Sequence, residues 1–432
     1  MAHHSSASRR GFLKASTAAG VAASLAAQGV LLKTAAGAVN TGTLKVGLIG
    51  CGGRGTGAAA QALTADKNVV LTAMGDAFAD RVQSSAANLK KQFGDRVQAT
   101  PETCFVGWDA YQKVIQSGVD VVLLATTPHF RPIHLRAAIE AGKHVFCEKP
   151  VAVDAPGVRS VLETAEMAKQ KGLSLVSGFC WRYSSPEREL FARIHDGQLG
   201  DVTAVYGAYN TGLLWHKARE PQQTDMEWHM RNWYYFTWLS GDHLVEQAVH
   251  SCDKMCWAMK DQAPLRAIGH GGRQVRTDAA YGNIFDHFEI VYEYPNDARG
   301  FLFTRQMASC YNGTVDTIHG SKGVAEINGG ANVRQIKGEK PWKYSGEKND
   351  MYQSEHDELF ASIRAGKPMN DGVRMTNSTM HAILGRMAAY TGQVITWEKA
   401  MASKETLSPE HYAWDAAPPE MKVAIPGRTK FV

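Results

Sequence analysis

The chain has 432 residues, a length typical of two domains, and its 44% hydrophobic and 21% charged residues are typical of a soluble globular protein. Its formal net charge is +5, but the first 38 residues contain four basic residues and no acidic one, and the rest carries 43 basic against 42 acidic residues. This balance excludes binding to nucleic acid or to an anionic membrane surface through a general excess of positive charge.

The N-terminal segment has the organisation of an export signal. A basic part ends at Arg10, an alanine-rich apolar stretch covers 15–32, and 36–38 offers a cleavage site with small residues. The run 8–14, with its twin arginine, resembles the signal of the twin-arginine (Tat) pathway, which carries folded proteins. The resemblance implies a signal peptide over 1–38, a transient partner in the Tat translocase, and a periplasmic or otherwise exported protein. A membrane anchor is the alternative, which the weak hydrophobicity of the stretch disfavours, so no stable membrane insertion is expected.

After this segment, strands and helices alternate. Apolar runs rich in β-branched residues predict buried strands at Leu44–Ile49, 69–74, 119–124 and His144–Cys147, and the segments between and after them predict helices at 57–63, 80–93, 133–141 and 158–171. Such alternation is typical of a parallel sheet with right-handed crossovers. We therefore predict an α/β fold whose first domain, residues 39–180, is a Rossmann domain.

The pattern changes after about residue 180. Longer strands are predicted at 203–209, 285–294, 300–307 and 314–318, with one long helix at 241–259 and closing helices at 354–363 and 376–391. Strands joined by short turns are typical of antiparallel sheets. The prediction is an α+β domain over 181–410 with a large, mostly antiparallel open sheet, followed by a tail over 411–432.

A glycine-rich turn follows the first predicted strand. Gly50, Gly52 and Gly55 form a GxGxxG pattern that precedes a helix and includes Gly53 and Arg54, so the turn and the helix N-terminus can approach a pyrophosphate. Asp76 ends the next strand, where a carboxylate binds ribose hydroxyls and repels a 2′-phosphate. The predicted cofactor is NAD rather than NADP, although Arg81 could offset this preference. A glycine turn in a nucleotide-free α/β fold is the alternative.

Two loops after later strands carry further polar residues, at 125–129 and 148–150, where loops of a parallel sheet face the ligand crevice. The run 141–150, AGKHVFCEKP, resembles the Gfo/Idh/MocA family of sugar and polyol oxidoreductases, and the likeness extends from about Lys45 to Trp397. The resemblance implies that Lys149 is the active-site lysine. It also implies that the cofactor is contacted by Thr126, Thr127, Pro128, His129, Glu148 and Lys149.

The family also carries an aspartate and a histidine four residues apart on a helix. In this chain His250 falls on the histidine position, and Glu246 stands where the family has aspartate. The resemblance therefore implies Lys149, His250 and Glu246 as catalytic residues, and a histidine or a crowded lysine titrates in the range that alcohol oxidation requires. Their spacing predicts that His243, Glu246 and His250 share one helix face. A face of satisfied polar residues and a divalent metal site are the alternatives; no third histidine or cysteine at matching spacing supports a metal.

Substrate contacts are predicted less directly. Arg182 occupies the family's substrate-arginine position, and the segment 228–238 holds six aromatic residues, including Trp233, beside Arg231. Aromatic faces stack on sugar C–H surfaces, but a core or subunit-interface cluster is the alternative. The full set of predicted substrate residues is Arg182, Tyr209, Arg231, Trp233 and His243, with His216 and His287 as positional candidates.

Three functions are compatible with these residues. The first is an NAD(P)-dependent oxidoreductase for a hydroxyl of a sugar, polyol or glycoside; the second is a redox-cycling glycosidase or lyase; the third is a non-catalytic binding module, which the presence of Lys149 and His250 disfavours. Export favours a tightly bound cofactor that is recycled in place, because no pool of NAD is present outside the cytosol. The resemblance further implies a homodimer or homotetramer.

Overall fold

The computed structural model describes residues 41–432, so the export signal predicted over 1–38 lies outside the described residues. A six-stranded, fully parallel sheet in the order β3-β2-β1-β4-β5-β6 forms the first part of the fold. Its strands are β1 Leu44–Ile49, β2 Val69–Asp76, β3 Cys104–Val106, β4 Val121–Leu124, β5 His144–Cys147 and β6 Leu175–Ser177. The helices that follow them are α1 Gly53–Ala65, α2 Ala79–Phe93, α3 Ala110–Gln116, α4 Arg131–Glu140 and α5 Ala155–Gln170.

Both faces of this sheet are covered, which explains the continuous apolar runs in its strands. All four residues of β4 are fully buried, and five of the six residues of β1 are buried. The strand order reverses between β1 and β4, and a crevice opens at such a switch point beyond the carboxyl ends of the strands. The glycine turn after β1 lies at this crevice.

A nine-stranded sheet in the order β14-β13-β12-β11-β7-β10-β9-β8-β15 forms the second part. Its pairings are antiparallel apart from the parallel pair of β7 and β10. The strands are β7 Val202–Thr211, β8 Arg266–Gly272, β9 His287–Glu293, β10 Arg299–Gln306, β11 Gly313–Gly320, β12 Gly323–Asn328, β13 Val333–Gly338, β14 Trp342–Lys343 and β15 Ile395–Thr396. The helices are α6 Ser185–His195, α7 Asp225–Arg231, α8 Thr237–Ser240, α9 His243–Glu246, α10 Val249–Ala258, α11 Met351–Arg364, α12 Gly372–Thr391 and α13 Trp397–Ala402.

The predicted fold class is confirmed: a Rossmann-type parallel sheet precedes a mixed, mostly antiparallel sheet. The domain boundaries at 180 and 410 stay predictions. The helix predicted over 241–259 is wrong as a single element, because Gly241 ends α8 and both Gly241 and Asp242 have positive φ, which no helix accepts. A second interruption separates α9 from α10 and has its cause in the site described below.

Helix α11 packs back onto α1, the helix that follows the glycine-rich turn after β1. Arg364 donates to Asp66 over 2.6 Å, and Gln353 donates to the carbonyl of Gln61 over 3.0 Å. Helix α11, late in the chain, therefore supports α1, the helix that connects β1 to β2. No local pattern in the sequence indicates this contact.

Buried histidines make the stability of the fold depend on pH. Burial lowers the pKa of each of eight described histidines, to about 3 for His129, His134 and His381 and to about 4 for His229; the others are His144, His243, His250 and His356. The unfolded chain binds these protons near pH 6.5, so it gains protons on acidification before the folded chain does. The associated stability is complete above pH 6.5 and is lost as the pH falls below it.

We expect the free energy of unfolding in urea to fall between pH 6.5 and 5.5 by about 1 kcal/mol for each buried neutral histidine. The variant His381→Gln removes one such group, whose ring nitrogens contact Cys256 and Tyr294, and should reduce the pH-dependent loss by that share. His319→Gln, which removes an exposed histidine, is the matched control. Equal pH dependence in wild type and His381→Gln would contradict the assignment.

Candidate active site and cofactor cleft

A cleft of about 770 Å³ lies at the carboxyl ends of the parallel strands. Residues from the turns after β1, β2, β4 and β5 form one wall, and residues from β7, α7 and the α9–α10 region form the other. Its size is within the range of sites that bury a small molecule or a cofactor.

The turn after β1 has the shape and the free donors that a pyrophosphate needs. Gly50 has φ of +96°, and a Cβ at Gly55 would meet the carbonyl oxygen of Gly50 at 1.8 Å, so both positions require glycine. A Cβ at Gly52 or Gly53 would meet nothing within 4 Å, because both face open space. Helix α1 has no side-chain cap and no acidic residue in its first turn, so its N-terminal amides are free for an anion.

Asp76 ends β2 beside this turn and lines the cleft. Its carboxylate accepts hydrogen bonds from the backbone amides of Cys51 at 2.6 Å and Phe78 at 3.0 Å. Burial raises the pKa of Asp76, and these amides oppose the rise. Asp76 therefore anchors the glycine turn and also presents a carboxylate to the cleft at the end of β2, where Rossmann folds commonly carry a ribose-binding carboxylate. Arg81 lines the same end of the cleft.

Arg54, in the first turn of α1 after the glycine turn, contacts two buried carboxylates. Its guanidinium donates to Glu148 after β5 and, over 2.8 Å, to Glu355 on α11. Burial and the charge of Glu148 raise the pKa of Glu355 well above its ordinary value. Arg54, predicted as a cofactor contact, lines the cleft. Its guanidinium forms ion pairs with both of these carboxylates.

The three predicted catalytic residues converge in the cleft. The Lys149 ammonium contacts the Glu246 carboxylate at 3.2 Å and also donates to the Glu246 backbone carbonyl. The His250 imidazole lines the cleft beside them, and its Nδ1 has no hydrogen-bond partner among the described residues. Burial lowers the pKa of His250 well below its ordinary value, and the charges of Lys149 and Lys254 add to this effect. The imidazole is therefore neutral near pH 7 and can accept a proton.

The Lys149 contact explains why the predicted long helix is interrupted. In a continuous helix the carbonyl of Glu246 would accept from the amide of His250. Lys149 takes that carbonyl instead, and the His250 amide bonds to the carbonyl of Gln247 over 3.2 Å. The prediction that His243, Glu246 and His250 share one helix face is therefore wrong.

His243 does not line the cleft, which corrects its prediction as a substrate residue. Its ring is fully buried, and its Nδ1 lies 3.0 Å from the Asp242 carboxylate and 3.1 Å from the Phe285 carbonyl. The His243 side chain therefore belongs to a buried polar cluster and not to the cleft.

The structure also corrects the prediction that Arg182 contacts the substrate. Its guanidinium is 4% exposed and binds the carboxylates of Asp253 at 2.9 Å and Asp261 at 2.6 Å, and it lies outside the cleft lining. Both partners keep the arginine inside the second part of the fold, where it braces α10. Its role is structural in this geometry.

The remaining predicted substrate residues do line the cleft, at two different places. Tyr209 on β7 lies beside the catalytic residues, with its ring centroid 6.5 Å from that of His250. Trp233 lies near Trp215, at 6.1 Å between ring centroids. Arg231 lies at the Asp76 end instead, because it pairs with Asp80 at 3.2 Å. His216 and His287 lie outside the lining.

The loop after β4 is divided in the same way. Thr126 and Thr127 line the cleft, whereas Pro128 and His129 are buried outside it, which corrects their prediction as cofactor contacts. The His129 Nε2 lies 2.8 Å from the hydroxyl of Tyr412, and burial lowers the pKa of His129 to about 3. The other predicted cofactor residues line the cleft: Gly50, Gly52, Gly53, Arg54, Gly55, Asp76, Glu148 and Lys149.

Gln247 is a cleft residue that the sequence analysis missed, although it lies between two predicted ones. Its Oε1 lies 3.4 Å from the amide nitrogen of Gln306, whose own oxygen accepts from Arg276 at 2.9 Å. Because arginine only donates, it orients both amides and leaves the Gln247 NH₂ free to donate into the cleft. Other missed lining residues are Phe78, Trp108, Tyr111, His134, Trp215, Lys217 and Tyr352.

Among residues 41–432, no group of three or more histidine, cysteine or carboxylate side chains is arranged to hold a metal ion. The same part of the chain contains no helix that is both long enough and apolar enough to span a membrane.

The chain is similar in sequence to proteins named as glycosyl hydrolases and inositol dehydrogenases. A family 109 glycosyl hydrolase protein of Streptomyces coelicolor is 30% identical over 39% of this chain and 34% of its own length. An inositol 2-dehydrogenase of Saccharopolyspora erythraea is 34% identical over 38% of this chain and 45% of its own length. These matches span less than half of either relative.

Solved structures share the fold. An aldose-aldose oxidoreductase of Caulobacter crescentus, solved with glycerol, superposes with a TM-score of 0.63 at 18% identity, covering 82% of this chain and 99% of its own. The WlbA dehydrogenase of Bordetella pertussis, solved with NADH and UDP-GlcNAcA, gives 0.63 at 19% identity, covering 82% and 98%. At this identity the likeness establishes the fold alone.

Two family models match consecutive segments that together make up more than half of the chain. The model of the Gfo/Idh/MocA oxidoreductase family with an NAD-binding Rossmann fold matches residues 44–179, and the model of the Gfo/Idh/MocA C-terminal domain matches residues 188–326. Both segments carry the cleft described above. This chain therefore belongs to the Gfo/Idh/MocA oxidoreductase family.

Proposed function

We propose that this protein oxidises a secondary hydroxyl of a sugar, polyol or glycoside to a ketone, and reduces such a ketone to the hydroxyl, with a nicotinamide dinucleotide held in the cleft. The observation that carries the proposal is the convergence of Lys149, Glu246 and His250 in the same cleft as a phosphate-binding turn. The names of the relatives, an inositol dehydrogenase and a glycosyl hydrolase, support a carbohydrate substrate.

The residues that would hold the cofactor fit its chemistry. The open faces of Gly52 and Gly53 and the uncapped amides of α1 suit the pyrophosphate, and Asp76 suits the adenosine ribose. The bound dinucleotide supplies a hydride acceptor for alcohol oxidation. We propose NAD in preference to NADP because the Asp76 carboxylate repels a 2′-phosphate, and Arg81 tempers that preference.

Lys149 and His250 have different roles at the reacting hydroxyl: Lys149 donates a hydrogen bond, and His250 accepts the proton. The Lys149 ammonium has three N–H donors, of which Glu246 occupies two, so the third is free to bind the oxygen of the reacting hydroxyl. The neutral His250 accepts the hydroxyl proton as the C–H bond gives up its hydride. In the reverse direction His250 returns the proton to the carbonyl oxygen. Gln247 donates to another substrate oxygen and fixes the orientation of the ring.

Export through the signal predicted over 1–38 would separate the enzyme from the cytosolic cofactor pool. We therefore propose that the dinucleotide stays bound and that a second sugar takes back the hydride taken from the first. Such a ping-pong cycle needs no free cofactor.

A redox-neutral glycosidase is the second candidate, favoured by the family 109 glycosyl hydrolase relatives. Oxidation of a ring hydroxyl to a ketone acidifies the neighbouring C–H bond, a base removes that proton, and the aglycone leaves with the electron pair. Water adds to the resulting double bond, and the retained hydride reduces the ketone. The same three residues serve both reactions.

One experiment separates the two candidates. The purified mature protein is analysed by mass spectrometry for bound dinucleotide and is then incubated with myo-inositol, with pairs of aldoses, and with p-nitrophenyl glycosides. Conversion of a polyol or a sugar pair supports the oxidoreductase, and release of p-nitrophenol without accumulation of NADH supports the glycosidase. Failure to bind any nicotinamide dinucleotide would overturn both.

Replacement of Lys149 by methionine should lower kcat by about 10²–10⁴-fold on the active substrate, because the substrate oxygen loses its charged donor. Lys67→Met, which removes an exposed lysine of the Rossmann part, is the matched control and should retain activity. Circular dichroism and melting temperature confirm that both variants fold. A fully active Lys149→Met variant would remove Lys149 from the mechanism.

The lowered pKa of His250 predicts the acid side of the pH–rate profile. Because its folded pKa lies well below 6.5, His250 stays neutral and competent as a base on acidification past that value. We expect kcat/KM to begin its fall on the acid side at a pH below 6.5, and His250→Gln to abolish most activity at every pH. An acid limb centred at or above pH 6.5 would contradict a desolvated His250 base.

A further inference from the structure

The C-terminal tail, defined here as residues 403–432, has no helix or strand, yet side-chain and backbone contacts fasten it to the protein. The amide of Leu407 donates to the Asp154 carboxylate over 3.1 Å, and the Tyr412 hydroxyl lies 2.8 Å from His129. At the start of the tail, the Arg159 guanidinium donates to the carbonyl of Ser403 over 2.9 Å. These contacts fix the tail at Ser403, Leu407 and Tyr412.

Two aromatic side chains of the tail enter a cluster behind the cleft wall. The Trp414 ring lies 4.6 Å from Trp108 and 5.2 Å from Phe78, between ring centroids. The Tyr412 ring lies 5.9 Å from Trp108 and 5.6 Å from Phe130. Phe78, Trp108 and Phe130 all line the cleft, whereas Tyr412 and Trp414 do not. The tail rings therefore form a second layer that supports the first.

This supported wall lies at the adenosine end of the cleft, as the position of Asp76 shows. Phe78 donates its amide to the Asp76 carboxylate, and the amide of Gly107, next to Trp108, donates to the Asp76 carbonyl over 3.0 Å. The Arg231 guanidinium also lies 4.0 Å from the centroid of the Phe78 ring and pairs with Asp80. Phe78 therefore contacts both Trp414 and Arg231.

We propose that Tyr412 and Trp414 are positioning residues that hold this aromatic wall against the adenosine half of the cofactor and slow its release. The proposal rests on the proposed function, because it presumes a dinucleotide in the cleft. Removing a ring from the second layer leaves a void behind Phe78 and Trp108, so the wall can move away and open a path for the adenosine. Such a device suits an enzyme that cannot replace a lost cofactor.

If the tail had only a structural role, its variants would weaken the binding of every ligand of the cleft to the same extent. The proposal instead restricts the effect to ligands that reach the adenosine end. NADH reaches it, whereas reduced nicotinamide mononucleotide (NMNH) lacks the adenosine and does not. Comparing the two ligands therefore separates local positioning from a general loss of stability.

The test measures NADH release from the mature protein by stopped-flow fluorescence during a chase with excess NAD, and NMNH affinity by titration. We expect Trp414→Ala to release NADH at least about tenfold faster, with NMNH affinity like that of the wild type. Trp414→Phe, which keeps a ring and is the fallback if the alanine variant does not fold, should release NADH at an intermediate rate. Met421→Ala, on an exposed part of the same tail, is the matched control.

Wild-type release rates in both Trp414 variants would overturn the inference and leave the proposed function intact. Equal weakening of NADH and NMNH would also overturn it, in favour of a general structural role. A wild-type protein that binds neither ligand would overturn the proposed function, and the inference with it.

Discussion

The site depends on one contact between two distant parts of the chain: the Lys149 ammonium binds both the side chain and the backbone carbonyl of Glu246. The lysine follows β5 in the first sheet, and the glutamate belongs to the helical region of the second part. By taking the carbonyl, Lys149 occupies the acceptor that would otherwise continue α9 into α10. Glu246, Gln247 and His250 line the cleft, whereas His243 lies in the core.

A buried charge network supports this contact from the cofactor side. Glu148 precedes Lys149 and is bound by Arg54 of the phosphate loop, which also binds Glu355 of α11. Burial and the neighbouring charge of Glu148 raise the pKa of Glu355 well above its ordinary value, and the Arg54 guanidinium opposes this rise. Arg54, which follows the glycine turn, is thereby connected to Lys149 through Glu148, whose carboxylate also accepts from the Lys149 amide over 3.1 Å.

The sequence was informative where structure depends on neighbouring residues. The bounds of β1 and β5, the glycine turn and Asp76 all follow from short patterns, and the structure places each where those patterns predict. The wrong predictions concern residues whose contacts depend on a partner far away in the sequence. Lys149 and Glu246 are 97 residues apart, and His129 and Tyr412 are 283 apart. Arg182 pairs with Asp253 on α10 and with Asp261 in the turn after that helix. Neither periodicity nor spacing can identify such partners.

The position of His129 shows how such long-range pairing bears on function. A polar residue at the carboxyl end of a parallel strand is expected to face the ligand. Here its ring is turned into the protein, where it bonds to the Tyr412 hydroxyl and lies 5.0 Å from the ring centroid of Trp238. Burial keeps this histidine neutral, so the contact with the tail carries no charge that solvent would compete for. The strand end that would ordinarily contact the cofactor directly instead fixes the tail, and the tail in turn supports the aromatic residues that do line the cleft.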